Sequence, residues 1–373
     1  MSGMDKVGFA PEVGHLENQI KIIQSWKQKR FPHALLFYGP EGCGKDAFAI
    51  SVAQFINCAS PEGIVDRSHP QYQKIATFQH PDVKIVFPTP AKTNLKEKEL
   101  DAAYASLREN PYQRVQFPGK STFISIDTIR ELKSEARFKV YEGRRKIFII
   151  SQAEKMRVEA ANALLKLLEE PPENLMLILT TSSIYKILPT IKSRCQLFRF
   201  HKLSLEEIET IVQRYQPDVD KDLLPVLIRL SGYNIKRVFD FLDKDILEVR
   251  EAALEFLRKV VLIHRSQELL KIVESFSGTK DREEARLLLW MLLLWFQDIL
   301  YLKYHIEDKE KLYNYDKLDS LESFYKYLPK MDITAVVWSI ETAMEQLKDV
   351  RNFNPLLILT DLAIKLNQHL RQK

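Results

Sequence analysis

At 373 residues, 45% hydrophobic and 28% charged, the chain has the length of two or three domains and the composition of a soluble globular protein. A formal charge of +5, with both signs interspersed, permits contact with nucleic acid but supplies no basic stripe to argue for it. Three separated cysteines, Cys43, Cys58 and Cys195, exclude a four-cysteine zinc site and a disulfide framework, which points to a reducing, cytoplasmic compartment.

Residues 1 to 12 lack the apolar core of a signal peptide. Residues 14 to 30 place Leu16, Ile20, Ile23 and Trp26 at helical spacing, and Phe31-Pro32-His33 breaks that helix. The apolar run Ala34 to Phe37 then predicts a buried strand. Gly39, Gly44 and Lys45 follow it at the spacing G-x-x-x-x-G-K, with Gly42 inside the loop. A strand, a glycine loop and a helix N-terminus form a phosphate cradle. Backbone N–H groups and the positive helix end face the anion, and the lysine adds its charge. The next position should carry a Ser or Thr hydroxyl for Mg²⁺, but Asp46 stands there. The following helix, about Lys45 to Phe55, presents Phe48, Val52 and Phe55 to the core.

From Ala59 to about Gly119 prolines mark loops, Lys92 to Lys98 is a charged run, and one short strand, Val83 to Phe87, interrupts the stretch. It is expected to be a loop-rich surface insertion. Order returns in a helix from Ser125 to Leu132, with Ser125 or Asp127 as N-cap. Lys146 to Ile150 is a β-branched and aromatic run typical of a central strand buried on both faces. In a P-loop ATPase such a strand ends in carboxylates that bind Mg²⁺ and polarise water. Here it ends in Ser151 and Gln152.

Ala160 to Glu170 predicts a helix stopped by Pro171-Pro172. A strand at Leu175 to Thr180, a short segment ending Ser193-Arg194-Cys195, and a strand at Gln196 to Phe200 follow. Alternating strands and helices predict an α/β domain with a parallel sheet. After Lys202 the pattern is wholly helical, with long segments at Ala252 to Ile263, Arg282 to Tyr304, Thr334 to Leu347 and Pro355 to Leu370. Leu287 to Phe296 is too short to span a bilayer and is expected to be a buried helix, so no membrane partner is expected.

His33-Ala34 before the P-loop, His80-Pro81-Asp82, Asn162-Ala163-Leu164-Leu165-Lys166-Leu167-Leu168-Glu169-Glu170-Pro171-Pro172 and Ser193-Arg194-Cys195 occur in this order. Together they resemble the bacterial clamp-loader subunits of DNA polymerase III, which are AAA+ proteins. The resemblance covers residues 5 to 240 well and the helical tail in character only. It implies an AAA+ domain over 1–202 with the insertion at about 59–120, a helical lid over 203–244, and an all-α collar domain over 245–373.

Asp46, Ser151 and Gln152 remove the metal-positioning and water-orienting groups of phosphoryl transfer, so the chain resembles the non-motor delta-prime type more than the gamma/tau motors. The zinc module of many relatives is missing its cysteines, so zinc is not expected. Nucleotide binding with Mg²⁺ is expected to be weak or absent. The resemblance makes Arg194 a finger that reaches a neighbouring subunit's ATP, a task that suits a planar, always-charged guanidinium. It makes Lys236 and Arg237 a candidate lid sensor, or else a solvated helix start. Thr180 and Thr181 are candidate γ-phosphate sensors or ordinary strand residues. The implied partners are the gamma/tau motor and delta subunits, the sliding clamp, and primed DNA through the assembly. The alternative is an active motor in which Asp46 binds Mg²⁺ and Glu154 replaces the lost carboxylates.

Overall fold

The computed structural model describes residues 9, 14–113, 115–262, 266–276, 282–304, 311–348 and 353–371. Its contacts divide the chain into two compact units, Met1–Val219 with Tyr233–Asp240, and Asp220–Gly232 with Phe241–Lys373.

The first unit begins with α1 (Leu16–Lys27), β1 (Ala34–Tyr38) and α2 (Lys45–Cys58). Leu16 and Ile20 lie exposed on α1, while Asn18 and Ile22 turn inward. Of the apolar positions at helical spacing, Ile23 and Trp26 pack against the core, and Asn18 Nδ2 donates to Arg199 O at 2.9 Å, anchoring the other inward side of the helix. There follow α3 (Pro70–Ala76), β2 (Val83–Val86), α4 (Glu97–Glu109), α5 (Ile126–Glu135), β3 (Lys146–Ile150) and α6 (Val158–Glu169). β4 (Leu175–Thr181), α7 (Pro189–Lys192), β5 (Gln196–Arg199) and α8 (Leu205–Tyr215) complete the α/β part.

The five strands are parallel in the order β2-β3-β4-β1-β5, with Leu36 opposite Leu179 and Phe148 opposite Leu177. Side chains alternate between the two faces, as the pleat requires. Leu35, Phe37, Ile147, Ile149 and Ile178 join Phe48, Val52 and Phe55 of α2 in one core. Leu36, Phe148, Ile150, Leu177 and Leu179 join Ile129 and Leu164 of α5 and α6 in the other. Ser125 caps α5, its hydroxyl accepting from Thr128 N.

Residues 59–120 are more ordered than a solvated loop. β2 is one edge strand of the sheet, and α4 buries Ala103 and Leu107 with Phe87 and Phe117. Tyr104 Oη of the same helix donates to Ile85 O at 3.2 Å. The loop entering β3 is also fixed from beneath. Asp82 accepts the backbone N–H groups of Tyr141, Glu142 and Gly143, and Asn57 Oδ1 accepts those of Arg144 and Arg145.

The remaining helices are α9 (Leu224–Leu230), α10 (Ile235–Leu242), α11 (Ile246–Val261), α12 (Ser266–Phe276), α13 (Arg282–Tyr304), α14 (Leu318–Tyr327), α15 (Ile333–Lys348) and α16 (Pro355–Leu370). α10 starts in the first unit and ends in the second. In the second unit, α13 is long and apolar enough to cross a membrane by composition, yet it is the core helix. Leu288, Leu292 and Phe296 pack with Phe256, Val336, Ile340 and Leu359. Trp290 Nε1 donates to Leu230 O at 2.8 Å, which gives its one polar atom a partner. Asp298, 2% exposed on the same helix, accepts from Tyr313 N, Asn314 N and Asn314 Nδ2.

Candidate functional site

β1 lies between β4 and β5, so the glycine loop that follows it opens at the carboxyl ends of the central strands, where open α/β sheets hold ligands. The loop is tightly enclosed. A Cβ on Gly39 would lie 2.3 Å from Phe200 O. Gly42 has φ +72, and a Cβ there would lie 1.7 Å from Asn234 Oδ1. The backbone N–H of Ile235 donates to Gly42 O at 2.9 Å, so the start of α10 rests directly on the loop. His15 Nε2 donates to Cys43 O at 2.6 Å, tying the start of α1 to the loop as well.

The expected site residues converge here. Gly42, Gly44, Lys45, Asp46, Gln152, Thr181 and Lys236 line one cavity of about 160 Å³. Lys45 does not reach into it as a free cation: Nζ donates to Gly39 O at 2.9 Å and to Pro40 O at 2.6 Å. Asp46 is likewise engaged. Its Oδ1 accepts the Thr180 hydroxyl at 2.6 Å and its Oδ2 lies 3.3 Å from Lys236 Nζ. Burial pushes the Asp46 carboxyl up, but Lys236, the Thr180 hydroxyl, Lys45 and Ser151 outweigh it and hold the group below the ordinary carboxylate range. Asp46 is therefore an anion at neutral pH with its charge balanced from within the chain.

Ser151 is buried at the end of β3, its N–H donating to Val86 O. Gln152 adopts a left-handed backbone, φ 51, and its N–H donates to Thr180 Oγ1 at 3.2 Å. Thr180, not Thr181, is the threonine that touches Asp46. Thr181 Oγ1 accepts from Ser183 N instead. Glu154 also lines the cavity, with Oε1 accepting from Ser182 N at 3.1 Å and Oε2 buried without a hydrogen-bond partner among the described residues. Arg237 does not line the cavity.

As these groups stand, they do not fit a Mg²⁺–nucleotide complex. The lysine is spent on loop carbonyls, and the carboxylate at the metal position is already paired with an ammonium. Among the described residues no group of three His, Cys, Asp or Glu side chains comes together to hold a metal.

Arg194 lies elsewhere. It follows α7, its Nη2 is 2.8 Å from Glu169 Oε1, and its Nη1 donates to Thr190 O at 2.9 Å. The side chain is 35% exposed and is not part of the chain's own cavity. The spacing of the glycine loop announced the cradle. The contacts of Asn234 and Ile235 with Gly42, and of Lys236 with Asp46, carried no local signal.

Family comparisons agree over most of the chain. Residues 15–204 match the model described as DNA polymerase III, delta subunit, and residues 245–368 match its C-terminal counterpart, DNA polymerase III, delta subunit, C terminal. The chain is 24% identical to DNA polymerase III subunit delta' of Bacillus subtilis, covering 90% of this chain and 92% of that one. It is 25% identical to subunit delta' of Escherichia coli, covering 94% and 93%. Subunit gamma/tau of Mycobacterium bovis is 26% identical over 68% of this chain, which spans only 40% of that relative's length.

Proposed function

The chain belongs to the DNA polymerase III delta-subunit family, and on that premise we propose that it is a delta-prime-like, non-motor subunit of the clamp loader. In this reading it helps place the sliding clamp on primed DNA, in the cytoplasm, within an assembly of gamma/tau and delta subunits. Residues 203–244 serve as lid and 245–373 as collar. Exposed Trp338 on α15 and Leu357 and Ile364 on α16 offer apolar surface to neighbouring subunits. Its own ATP site is degenerate, and Arg194 acts on the nucleotide held by a neighbour.

The observation that supports this most is the separation of the two functional halves. Asp46 and Lys45 are satisfied internally, while Arg194 stays partly exposed on a single carboxylate away from that cavity. An arginine finger is worth ~10³- to 10⁵-fold in rate at the site it completes. The test is to reconstitute the complex with its motor and delta subunits, clamp and primed DNA, using Arg194→Ala. Assembly should persist while DNA-stimulated ATP turnover falls sharply. Unchanged turnover would reject the finger.

The motor alternative draws on Glu154, which lines the same cavity and has one buried oxygen without a hydrogen-bond partner among the described residues. The Asp46–Lys236 pair argues against it, since the carboxylate meant for Mg²⁺ already has its counter-ion.

A further inference from the structure

The start of α10 meets the glycine loop at three points: the Ile235 N–H on Gly42 O, the Asn234 side chain over Gly42, and the Lys236 ammonium on Asp46. We propose that Asp46 and Lys236 form an internal latch that stands in for nucleotide, holding the segment Tyr233–Asp240 closed on the P-loop whether or not ATP is present. The proposal rests on the degenerate-site part of the reading above and is independent of the arginine finger.

The chemistry follows from what each partner replaces. In a working cradle the residue after the lysine offers a neutral hydroxyl to Mg²⁺, and a lid cation would be drawn by the negative charge of the phosphates. Here the hydroxyl is a carboxylate, so the negative charge that a lid lysine would seek on the ligand is part of the protein itself. Both side chains are nearly buried, at 13% and 14% exposure. Separating such a pair leaves an uncompensated charge in a poorly solvated place, so the closed arrangement is strongly favoured over the open one. Mg²⁺ gains little by competing, because it requires several oxygen ligands in octahedral array and gives up water reluctantly. Asn234 completes the closure by occupying the space beside Gly42.

Asp46 is thus the residue that decides whether the cradle accepts a ligand, and two variants of the full-length chain test this. Asp46→Ser restores the hydroxyl and frees Lys236. A fluorescent ATP analogue with Mg²⁺ should then bind with half-saturation about tenfold or more below that of the parent chain. Lys236→Met removes the latch while keeping the stem's bulk, and the Ile235 amide should exchange its hydrogen about tenfold faster. Three results would overturn the latch. They are tight Mg²⁺–ATP binding by the parent chain, a folded Asp46→Ser variant that binds no better than the parent, and unchanged Ile235 exchange in Lys236→Met. Should Asp46→Ser fail to fold, the exchange rate in Lys236→Met decides alone. Loss of stimulated turnover in the Arg194→Ala complex is read on a neighbour's nucleotide, so the two proposals fail separately.

Discussion

Arg194 and Glu169 form an ion pair of 2.8 Å, and through it the end of α6 meets the turn that leads into β5. Two of the four sequence motifs that carry the family resemblance therefore meet in one structural unit. Glu169-Glu170-Pro171-Pro172 ends the helix and positions a carboxylate, and Ser193-Arg194-Cys195 supplies the guanidinium that rests on it.

With side chains 35% and 47% exposed, that pair contributes little to stability, at most about 1 kcal/mol. Its value is orientation. Glu169→Gln should leave the thermal midpoint of the isolated chain almost unchanged. In the reconstituted complex it should lower stimulated ATP turnover less than Arg194→Ala does. A melting curve beside a turnover assay measures both. Equal loss in the two variants would show that Glu169 does more than orient.

Gly42→Ala should be among the more costly single-methyl changes in the molecule. The new Cβ meets Asn234 at once, and the backbone sits at φ +72, where side chains are strained. The expected loss is about 2 kcal/mol, read as a shift in denaturant midpoint with unchanged slope. Exchange of the Ile235 amide should rise with it, because its acceptor is Gly42 O.

Asp82 ties down the loop before β3 through three backbone N–H donors. Asp82→Ala should cost about 2 to 3 kcal/mol by leaving those donors without their acceptor. Burial pushes this carboxyl up, but the Gly143, Tyr141 and Glu142 amides prevail and hold it below its ordinary value of 3.8. A depressed folded pKa means its stabilisation is present above the unfolded value and is lost as pH falls through the folded one. The gap between parent and Asp82→Ala, measured by chemical denaturation, should therefore narrow below about pH 4.

Asp298 has the opposite sign. Burial raises its carboxyl from 3.8 to about 6, against the opposing pull of Asn314, Tyr313 and Arg229. The folded state then binds the proton more tightly than the unfolded state. Its contribution is full below about pH 4 and is lost as pH rises through about 6, a difference on the order of 3 kcal/mol. Asp298→Asn should remove that pH dependence. The check is to subtract the variant's denaturation free energy from the parent's at several pH values between 4 and 7. A flat difference would count against the raised carboxyl.

The sheet was legible because its three inner strands, β1, β3 and β4, are almost wholly apolar and buried runs, and Lys146 to Ile150 could hardly be anything but interior. α6 was legible through its proline stop. α4 was not. Glu97–Glu109 is charged on most faces and commits only Ala103 and Leu107 to the interior, so it reads as a solvated run until Phe87 and Phe117 are seen to receive it. The glycine loop was visible from spacing, but its closure was not. Asp46 and Lys236 are 190 positions apart, and no periodicity links a loop residue to the first turn of a distant helix. α1 was legible in part: Ile23 and Trp26 reach the core as their spacing suggests, while Leu16 and Ile20 stay exposed and the Asn18 contact carried no signal.

Gly39 touches Phe200 so closely that no larger residue fits, and Gly42 is hemmed in by Asn234 in the same way. Neither constraint involves phosphate. Substitution at either position is penalised by crowding whether or not the loop holds a ligand. Glycine spacing of this kind therefore reports close packing as much as phosphate binding, and the residue after the lysine carries independent information.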